Sequence, residues 1–176
     1  MSEMWDKVAT EGKEQDVVGA MKILDESLNS IVFLSGDRAY RFESRGGILL
    51  GFEGMQGRLP LGSYGEGMRR LLALTLSLAK TQNGILLVDE IDTGLHYSIM
   101  GDMWRLVAQT AKRYNIQVFA TTHSSDCVRG LDWLCRNYPE LGEEVSLQKI
   151  EPELPTAVTL DAEQIKISFE QDIEVR

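Results

Sequence analysis

The sequence predicts an α/β fold with a mostly parallel sheet, because apolar strands alternate with amphipathic helices. Residues 84–88 form an unbroken, branched apolar run, typical of a strand buried on both faces of a parallel sheet. A second apolar run at 116–121 predicts another strand, and a helical pattern precedes each run, at 68–79 and 98–114. The length of 176 residues suits one domain with a sizeable core.

The first elements predicted along the chain are one helix and a small β-meander. Apolar residues recur at helical spacing from Val17 to Leu28, which predicts an amphipathic helix over 16–28. Short strands are then predicted at residues 31–34, 39–42 and 48–52, with a break at 35–37. Pro60 stiffens the entry to a glycine-rich loop at 61–67, which leads into the helix at 68–79.

The elements after the second apolar strand are a capped helix, a hairpin and a final helix. Ser124 or Ser125 can cap a helix that stops before Pro139. The chain is then predicted to close with a hairpin at 145–150 and 157–160 and a helix from its N-cap Asp161 to Phe169.

Cysteine usage and hydropathy predict a cytoplasmic protein with no membrane partner. Cys127 and Cys135 are eight residues apart on a predicted helix. At that spacing they lie ~12 Å apart, too far for a disulfide, and free thiols fit a reducing compartment. No apolar run is long enough to cross a bilayer, and residues 1–15 are polar and lack an apolar signal core.

The charge of the chain is acidic overall but uneven. Its 18 basic and 27 acidic side chains give a net charge of −9, which argues against a protein covered by nucleic acid. Residues 36–72 carry six arginines against four acidic residues, so this segment is +2 and the rest is −11. Contact with DNA or nucleotide phosphates is expected there, and the alternative is a mixed solvated surface. The arginines are Arg38, Arg41, Arg45, Arg58, Arg69 and Arg70.

Two adjacent carboxylates, Asp89 and Glu90, follow the first apolar strand directly. Open α/β sheets place ligands at the carboxyl ends of their strands, and a magnesium ion with a phosphate commonly explains carboxylates there. The second strand ends just before His123, so its imidazole is expected at the same edge of the sheet. The alternative is a solvated strand end followed by a turn, with His123 as a capped surface imidazole.

The glycine-rich loop at 61–67 is a second candidate site. A flexible loop that leads into a helix N-terminus offers free backbone N–H groups and the positive end of the helix dipole, which together bind anions. Glycine-rich turns are common, so the loop gains meaning only beside the other motifs.

Three ordered segments resemble the signature loop, the Walker B strand and the histidine switch of ABC-type ATPases, at residues 61–67, 85–90 and 120–124. The run Asp-Glu-Ile-Asp-Thr-Gly-Leu-His at 89–96 is similar to the RecF/SMC/OLD-like branch of prokaryotic AAA family ATPases (AAA_15- and AAA_21-like). The resemblance is strong from residue 61 to 131 and weak elsewhere. It implies a P-loop NTPase fold in which residues 1–176 form one domain, with the meander before the signature loop.

The resemblance also implies roles for the residues of these motifs, with ATP and Mg²⁺ as cofactors. Asp89 would hold the magnesium ion, usually through water. Glu90 would orient and deprotonate the attacking water, and His123 would contact both the γ-phosphate and that water.

A second ATPase protomer is an implied partner, because the signature loop of such enzymes binds the γ-phosphate of ATP held by another protomer. The residues with this role here are Ser63, Gly65, Glu66 and Gly67. Asp92 and His96 are further candidates for the nucleotide site. Many transporter-type relatives carry an aspartate where His96 stands, whereas the OLD-like branch has histidine, and His96 could touch the dimer interface.

The sequence lacks the Walker A loop, Gly-x-x-x-x-Gly-Lys-Ser/Thr, whose amides and lysine cradle the β- and γ-phosphates in such ATPases. The Gly12-Lys13 pair is followed by Glu14, has Lys7 where the first glycine belongs, and follows no predicted strand. The segment before Ile31 is too short for the missing strand, loop and helix. The chain is therefore expected to be the C-terminal half of an ATPase: a truncated gene, an engineered fragment or one partner of a split enzyme.

Three functions are compatible with these observations. The first is an ATP-binding and ATP-hydrolysing module whose partner is a Walker A half, with DNA and a nuclease as further partners, since relatives act in DNA repair or antiphage defence. The second is a non-catalytic interaction module that keeps the fold and binds a partner. The third is a metal-dependent nuclease built from Asp89, Glu90, Asp92 and His96, disfavoured because the chain has two histidines and no further acidic strand end.

Overall fold

The computed structural model describes residues 1–34, 47–151 and 154–171, and it shows an α/β fold of mixed helices and sheets. The chain divides into two compact units. The first unit comprises Met1–Leu86 and Thr110–Val118, and the second comprises Leu87–Gln109 and Phe119–Arg176.

The helical part of the first unit is built on a long amphipathic helix. Helices α1 (Ser2–Thr10) and α2 (Glu14–Met21) both pack against α3 (Gly65–Lys80). The buried residues of α3 are Leu71, Leu72, Thr75, Leu76, Leu78 and Ala79. Each fully buried leucine contributes roughly 1.5–3 kcal/mol, so this apolar stripe holds the three helices together. The sequence pattern did not predict α1, which lies in the polar N-terminal segment.

Helix α2 is shorter than the helix predicted over 16–28, and the predicted C-terminal extension is wrong. The side chain of Asp25 accepts hydrogen bonds from the Ser27 backbone N–H (3.0 Å) and from the Ser27 hydroxyl (2.6 Å). Such side-chain bonds to nearby backbone compete with helix continuation. Leu28 then enters a strand, where it pairs with Phe52.

Two of the predicted meander strands are present in a three-stranded antiparallel sheet before the glycine-rich loop, and the third strand of this sheet was not predicted. Its strands, in spatial order, are β1 (Leu28–Phe33), β2 (Ile48–Phe52) and β3 (Leu59–Pro60). The strand predicted at 39–42 and the break predicted at 35–37 lie outside the described residues. The third strand of the described sheet is therefore β3, which runs directly into the glycine-rich loop.

Strands β4 (Ile85–Val88) and β5 (Gln117–Ala120) form a two-stranded sheet. Gln117 N–H donates to Gly84 C=O and Thr121 N–H donates to Val88 C=O, both at 3.0 Å, so the two strands run parallel. The prediction that β4 is buried on both faces is wrong. Alternate side chains on it are open to solvent, Ile85 at 61% and Leu87 at 75% exposure.

The exposed side chains of these strands predict that the isolated chain self-associates. Phe119 on β5 is 52% exposed, whereas Ile116, just before β5, is buried. Exposed apolar strands are prone to association. We expect light scattering to show oligomers of the parent and smaller species for Leu87→Lys. Gln117→Lys adds the same charge at an exposed polar position and should change little; a compact parent monomer at high concentration would contradict the prediction.

The second unit is mostly helical. Its elements are most of α4 (Met100–Tyr114), α5 (Ser125–Asn137), the short α6 (Pro139–Gly142), the hairpin β6 (Leu147–Lys149) with β7 (Val158–Leu160), and α7 (Ala162–Glu170). Its core cluster consists of Leu131, Leu134, Cys135, Leu141 and Ile165.

The helix boundaries predicted in the second unit are confirmed by their caps. Ser124 accepts the Cys127 N–H at the start of α5, and Asp161 forms a capping box with Gln164 at the start of α7. Gly130 allows α5 to approach the start of α4, because a Cβ there would lie 2.6 Å from Met100 Cβ. Among the described residues, no helix is both long and apolar enough to cross a membrane.

Candidate functional site

Asp89 and Glu90 lie at the carboxyl end of β4, where both side chains are exposed. The Thr121 hydroxyl donates a 2.5 Å hydrogen bond to Asp89 Oδ1 and accepts the Glu90 backbone N–H at 2.9 Å. Asp89 thus has one oxygen occupied by the protein and the other, Oδ2, directed to no hydrogen-bond donor of the described residues. The two carboxylates of the predicted site are adjacent and solvent-accessible, and Thr121, directly after β5, bonds the Asp89 carboxylate and the Glu90 backbone.

Glu90 occupies the left-handed backbone region, with φ of 47°. A non-glycine residue adopts this conformation at an energetic cost, so the surrounding bonds must maintain it. Thr93 supplies two of them: its N–H donates to Glu90 C=O and its hydroxyl donates to Glu90 Oε2, both at 3.0 Å. The turn fixes the direction of the Glu90 side chain and leaves Oε1 available.

Thr122 makes the same kind of contacts as Thr121: its hydroxyl donates to a carboxylate and accepts a backbone N–H. The Thr122 hydroxyl donates to Asp92 Oδ1 at 2.5 Å and accepts the Ser124 N–H at 3.0 Å. Thr121 and Thr122, the threonine pair, therefore tie the end of β5 to the acidic segment Asp89–Asp92. Their signal in the sequence was two hydroxyl residues between a strand and a histidine, but nothing in that pattern predicted their partners.

His123 follows the threonine pair directly and is exposed. It precedes Ser124, the N-cap of α5, so its backbone is fixed on both sides. Because β4 and β5 are parallel and paired to their ends, the segment that carries His123 leaves the sheet at the same edge as the acidic segment. This agrees with the predicted common edge for Asp89, Glu90 and His123.

His96 has a local structural role. Its Nδ1 lies 2.9 Å from the Ser98 hydroxyl and accepts the Ser98 backbone N–H at 3.4 Å, which caps a 3₁₀ turn at Tyr97–Ile99. Its ring packs against Tyr97, with centroids 4.3 Å apart. In the described residues, no group of three or more His, Cys, Asp or Glu side chains could hold a metal ion.

A magnesium site that is completed by phosphate oxygens fits the residues present. Mg²⁺ prefers oxygen ligands, keeps several waters, and is usually bound through one or two carboxylates plus substrate phosphates. Asp89 offers one free, exposed carboxylate oxygen in a fixed orientation. Glu90 likewise has one carboxylate oxygen bonded by a threonine, Thr93, and one available, so either carboxylate could face the ion or its waters.

The glycine-rich loop, in the first unit, leads into α3. Ser63 lies in a 3₁₀ turn (Leu61–Tyr64) and is exposed, while Tyr64 stacks on Phe52 with centroids 4.9 Å apart. Gly65 has φ of 82°, which a side chain would strain, and the first turn of α3 has no side-chain cap. Uncapped N–H groups at a helix N-terminus favour anions.

Arg70 and Lys13, two basic residues considered in the sequence analysis, have polar partners in the first unit. Arg70 pairs with Glu66 at 3.8 Å on the surface of α3, whereas Arg38, Arg41 and Arg45 lie outside the described residues. Lys13 bonds Glu11 at 2.6 Å and Gln82 at 2.9 Å, between helices α1 and α2. The element before the Gly12-Lys13 pair is helix α1 and not a strand, whereas a Walker A loop would follow a strand.

Cys127 is buried at the start of α5, and its burial raises the pKa of the thiol to about 11. Asp92 raises this pKa further, while hydrogen bonding to Thr122 and Trp104 partly opposes the shift. An unfolded thiol titrates near 8.5. The unfolded chain therefore loses this proton first, and the free energy of unfolding should fall between about pH 9 and about pH 11. Urea unfolding of the parent and of Cys127→Ala over this pH range tests the prediction. Equal pH dependence of the free energy of unfolding in the two proteins would contradict it.

The segment that contains this site matches a known protein family, and the chain has two similar relatives among known proteins. Residues 6–126 match the AAA_21 family, described as "AAA domain, putative AbiEii toxin, Type IV TA system". An ATP/GTP phosphatase of Helicobacter pylori is 28% identical over 122 residues, 64% of this chain and 32% of the relative. A protein of Methanocaldococcus jannaschii without assigned function is 33% identical over 64 residues, 36% of this chain and 56% of the relative. The chain thus spans about a third of the length of the Helicobacter relative.

Two solved structures share the fold. One, from work on ATP-driven dimerization and DNA-stimulated activation of SMC ATPases, superposes with a TM-score of 0.57 at 15% identity, covering 98% of this chain and 99% of that chain. The other is an SMC head bound to the C-winged helix domain of ScpA, with a TM-score of 0.52 at 14% identity, covering 86% of this chain and 43% of that chain. The α/β fold of this chain is therefore similar to that of SMC ATPase heads.

Proposed function

The chain belongs to the AAA_21 family of AAA domains, and from that premise we propose that it is an ATP-binding and ATP-hydrolysing module of an OLD/RecF-like ATPase. It would supply the Walker B strand, the signature loop and the histidine switch, as the C-terminal part of the ATPase domain. The observation that carries the proposal is the pair of exposed carboxylates at the end of parallel strand β4, each with one oxygen bonded by a threonine and one available.

We assign the two carboxylates different roles, following the resemblance of this segment to a Walker B strand. Asp89, with Oδ1 occupied by Thr121, would hold the magnesium ion through Oδ2, directly or through water. Bound magnesium would neutralise charge on the phosphates. Glu90, whose backbone and side chain are fixed by Thr121 and Thr93, would orient the attacking water and accept its proton. A general base of this kind typically contributes ~10²- to 10⁴-fold to the rate.

His123 would contact the γ-phosphate and the attacking water from the neighbouring segment. Its exposure and its position on the same edge as the acidic segment support this role. Asp92 and His96 would shape the nucleotide site from the loop that follows Glu90. His96 would present Nε2 to the dimer interface, since its Nδ1 is engaged by Ser98.

The glycine-rich loop would act on the ATP of a second protomer. The exposed Ser63 hydroxyl and the uncapped N–H groups of the first turn of α3, at Gly65, Glu66 and Gly67, support binding of a γ-phosphate there. The relation to SMC heads, one of which was studied for ATP-driven dimerization, is consistent with a dimeric site. Coupling to DNA repair or antiphage defence is part of the proposal, and the toxin–antitoxin wording of the family description agrees with a defence role.

This function requires a Walker A loop from outside residues 1–176, because these residues contain no Gly-x-x-x-x-Gly-Lys-Ser/Thr. That same feature favours a second candidate function, a non-catalytic module that keeps the fold and only binds a partner. The two candidates differ in what the completed assembly does with ATP.

A nucleotide titration distinguishes them. A fluorescent ATP analogue with magnesium is titrated against the chain alone and against the chain mixed with a Walker A polypeptide, which carries the strand, the loop with its lysine and the following helix. The proposed function requires binding in the mixture that exceeds binding by the Walker A polypeptide alone. Formation of a complex without any gain in nucleotide binding would instead favour the non-catalytic module, and DNA cleavage with manganese would reveal a nuclease.

A further inference from the structure

Thr121 makes hydrogen bonds to several consecutive residues at the end of β4 and in the acidic segment. Its backbone N–H donates to Val88 C=O at 3.0 Å and its C=O accepts the Ile91 N–H at 3.1 Å. Its hydroxyl donates to Asp89 Oδ1 at 2.5 Å and accepts the Glu90 N–H at 2.9 Å. The three polar groups of Thr121 therefore make four hydrogen bonds, one to each of four consecutive residues, 88–91.

A single hydroxyl can make both of the side-chain bonds because it donates once and accepts as well. The bond to Asp89 is charge-assisted and short, which is the stronger kind of hydrogen bond. Asp89 is exposed, so without this bond its carboxyl group could rotate freely in solvent. The hydroxyl decides which carboxylate oxygen of Asp89 remains available for an ion.

The bond to Glu90 concerns the backbone. Glu90 is held at a φ of 47°, a region that non-glycine residues enter only when neighbouring contacts maintain it. The Thr121 hydroxyl holds the N–H of this residue and Thr93 holds its C=O and side chain. The direction of the Glu90 carboxylate thus depends on a contact made from the adjacent strand.

We propose that Thr121 is a positioning residue for ATP hydrolysis, which acts by fixing the free oxygen of Asp89 and the left-handed turn at Glu90. The proposal rests on the proposed function of the two carboxylates. It adds a residue that would act through these two neighbours. The same threonine bonds the carboxylate of Asp89 and the backbone of Glu90, so its loss should change the magnesium dependence and the rate of turnover together.

The first test uses the isolated chain and does not depend on ATP. Thr121→Val removes the hydroxyl at nearly constant shape, and Thr121→Ser keeps it. We expect amide hydrogen exchange at Glu90, resolved by NMR, to be roughly tenfold faster in the valine variant, as for the loss of one hydrogen bond. The serine variant should exchange like the parent. Equal exchange in all three proteins would overturn the proposal.

The second test measures turnover by the full chain with the Walker A polypeptide. Loss of a group that orients a metal ligand typically costs 10- to 100-fold in metal affinity or activity. We therefore expect Thr121→Val to raise the magnesium concentration at half-maximal turnover by about tenfold and to lower kcat, while nucleotide binding stays near that of the parent. Thr121→Ser should restore both quantities.

Thr122→Val is the matched control, because it removes the hydroxyl that bonds the neighbouring carboxylate, Asp92. It should alter the magnesium dependence less than Thr121→Val does. If Thr121→Val fails to fold, as judged by circular dichroism, Thr121→Ala replaces it. No turnover by the parent would overturn the proposed function itself. A different result would overturn the role of Thr121 alone. In that result the parent hydrolyses ATP, Glu90→Gln abolishes the hydrolysis, and Thr121→Val has the turnover and magnesium dependence of the parent.

Discussion

Glu90→Gln is expected to lower ATP hydrolysis by the completed assembly ~10²- to 10⁴-fold while ATP still binds. Glutamine keeps the shape of the side chain and the Thr93 bond, but it cannot accept a proton from water. The ATP-bound dimer should therefore persist, since dissociation follows hydrolysis in this mechanism. Phosphate release measures the first effect, and size-exclusion chromatography in the presence of ATP and magnesium measures the second.

Asp89→Asn provides the comparison that separates the two carboxylates. The amide is a weaker ligand for a hard cation and can no longer accept a charge-assisted bond from Thr121. Its main effect should be a higher magnesium requirement, rather than a loss of turnover at saturating magnesium. If both variants hydrolyse ATP like the parent, the assignment of Asp89 and Glu90 as the Walker B carboxylates is wrong.

The chain by itself is expected to release no phosphate from ATP above background. Phosphoryl transfer depends on positioning and on charge stabilisation around the γ-phosphate, which in P-loop NTPases the Walker A amides and lysine provide. Asp89 and Glu90 are negative and repel the triphosphate unless magnesium bridges them. A homodimer of this sequence adds no Walker A loop, since neither copy carries one.

The measurement compares phosphate release by the parent with that by Glu90→Gln, purified in parallel as the control for contaminating ATPases. Addition of the Walker A polypeptide should restore binding and turnover together. In that assembly Ser63→Arg should abolish turnover by blocking the approach of the second protomer, because Ser63 is exposed in the glycine-rich loop. Turnover by the isolated parent clearly above the control would show that this chain contains a phosphate cradle of its own.

Elements with their own local signals were predictable from the sequence. Strand β2 has the predicted bounds, and α5 and α7 begin at predicted caps, Ser124 and Asp161, because a cap is a bond between residues three positions apart. The prediction of a helix over 16–28 was wrong because hydrophobic periodicity does not take account of competing contacts. Asp25 bonds Ser27 locally, and Leu28 gains a strand partner in Phe52, 24 residues away.

The burial of β4 illustrates a second limit of sequence patterns. An unbroken run of branched apolar residues indicates that a strand has apolar faces, but not that the described chain covers them. Ile85 and Leu87 are largely exposed, whereas Ile116, in the second apolar run, is buried. Exposure depends on which other elements pack nearby, and those contacts involve residues far apart in the sequence.

The sequence by itself determined the α/β class, the order of the three motifs, and the placement of Asp89, Glu90 and His123 at strand ends. These features depend on residue types at fixed local spacing. The tertiary structure alone decided that Thr121 bonds Asp89 and the Glu90 N–H, and that Thr122 bonds Asp92. Those partners are about thirty residues apart, and they meet because β4 and β5 pair in a particular parallel register. A register depends on how the hydrophobic patterns of both strands match, so the pattern of one strand alone does not specify it.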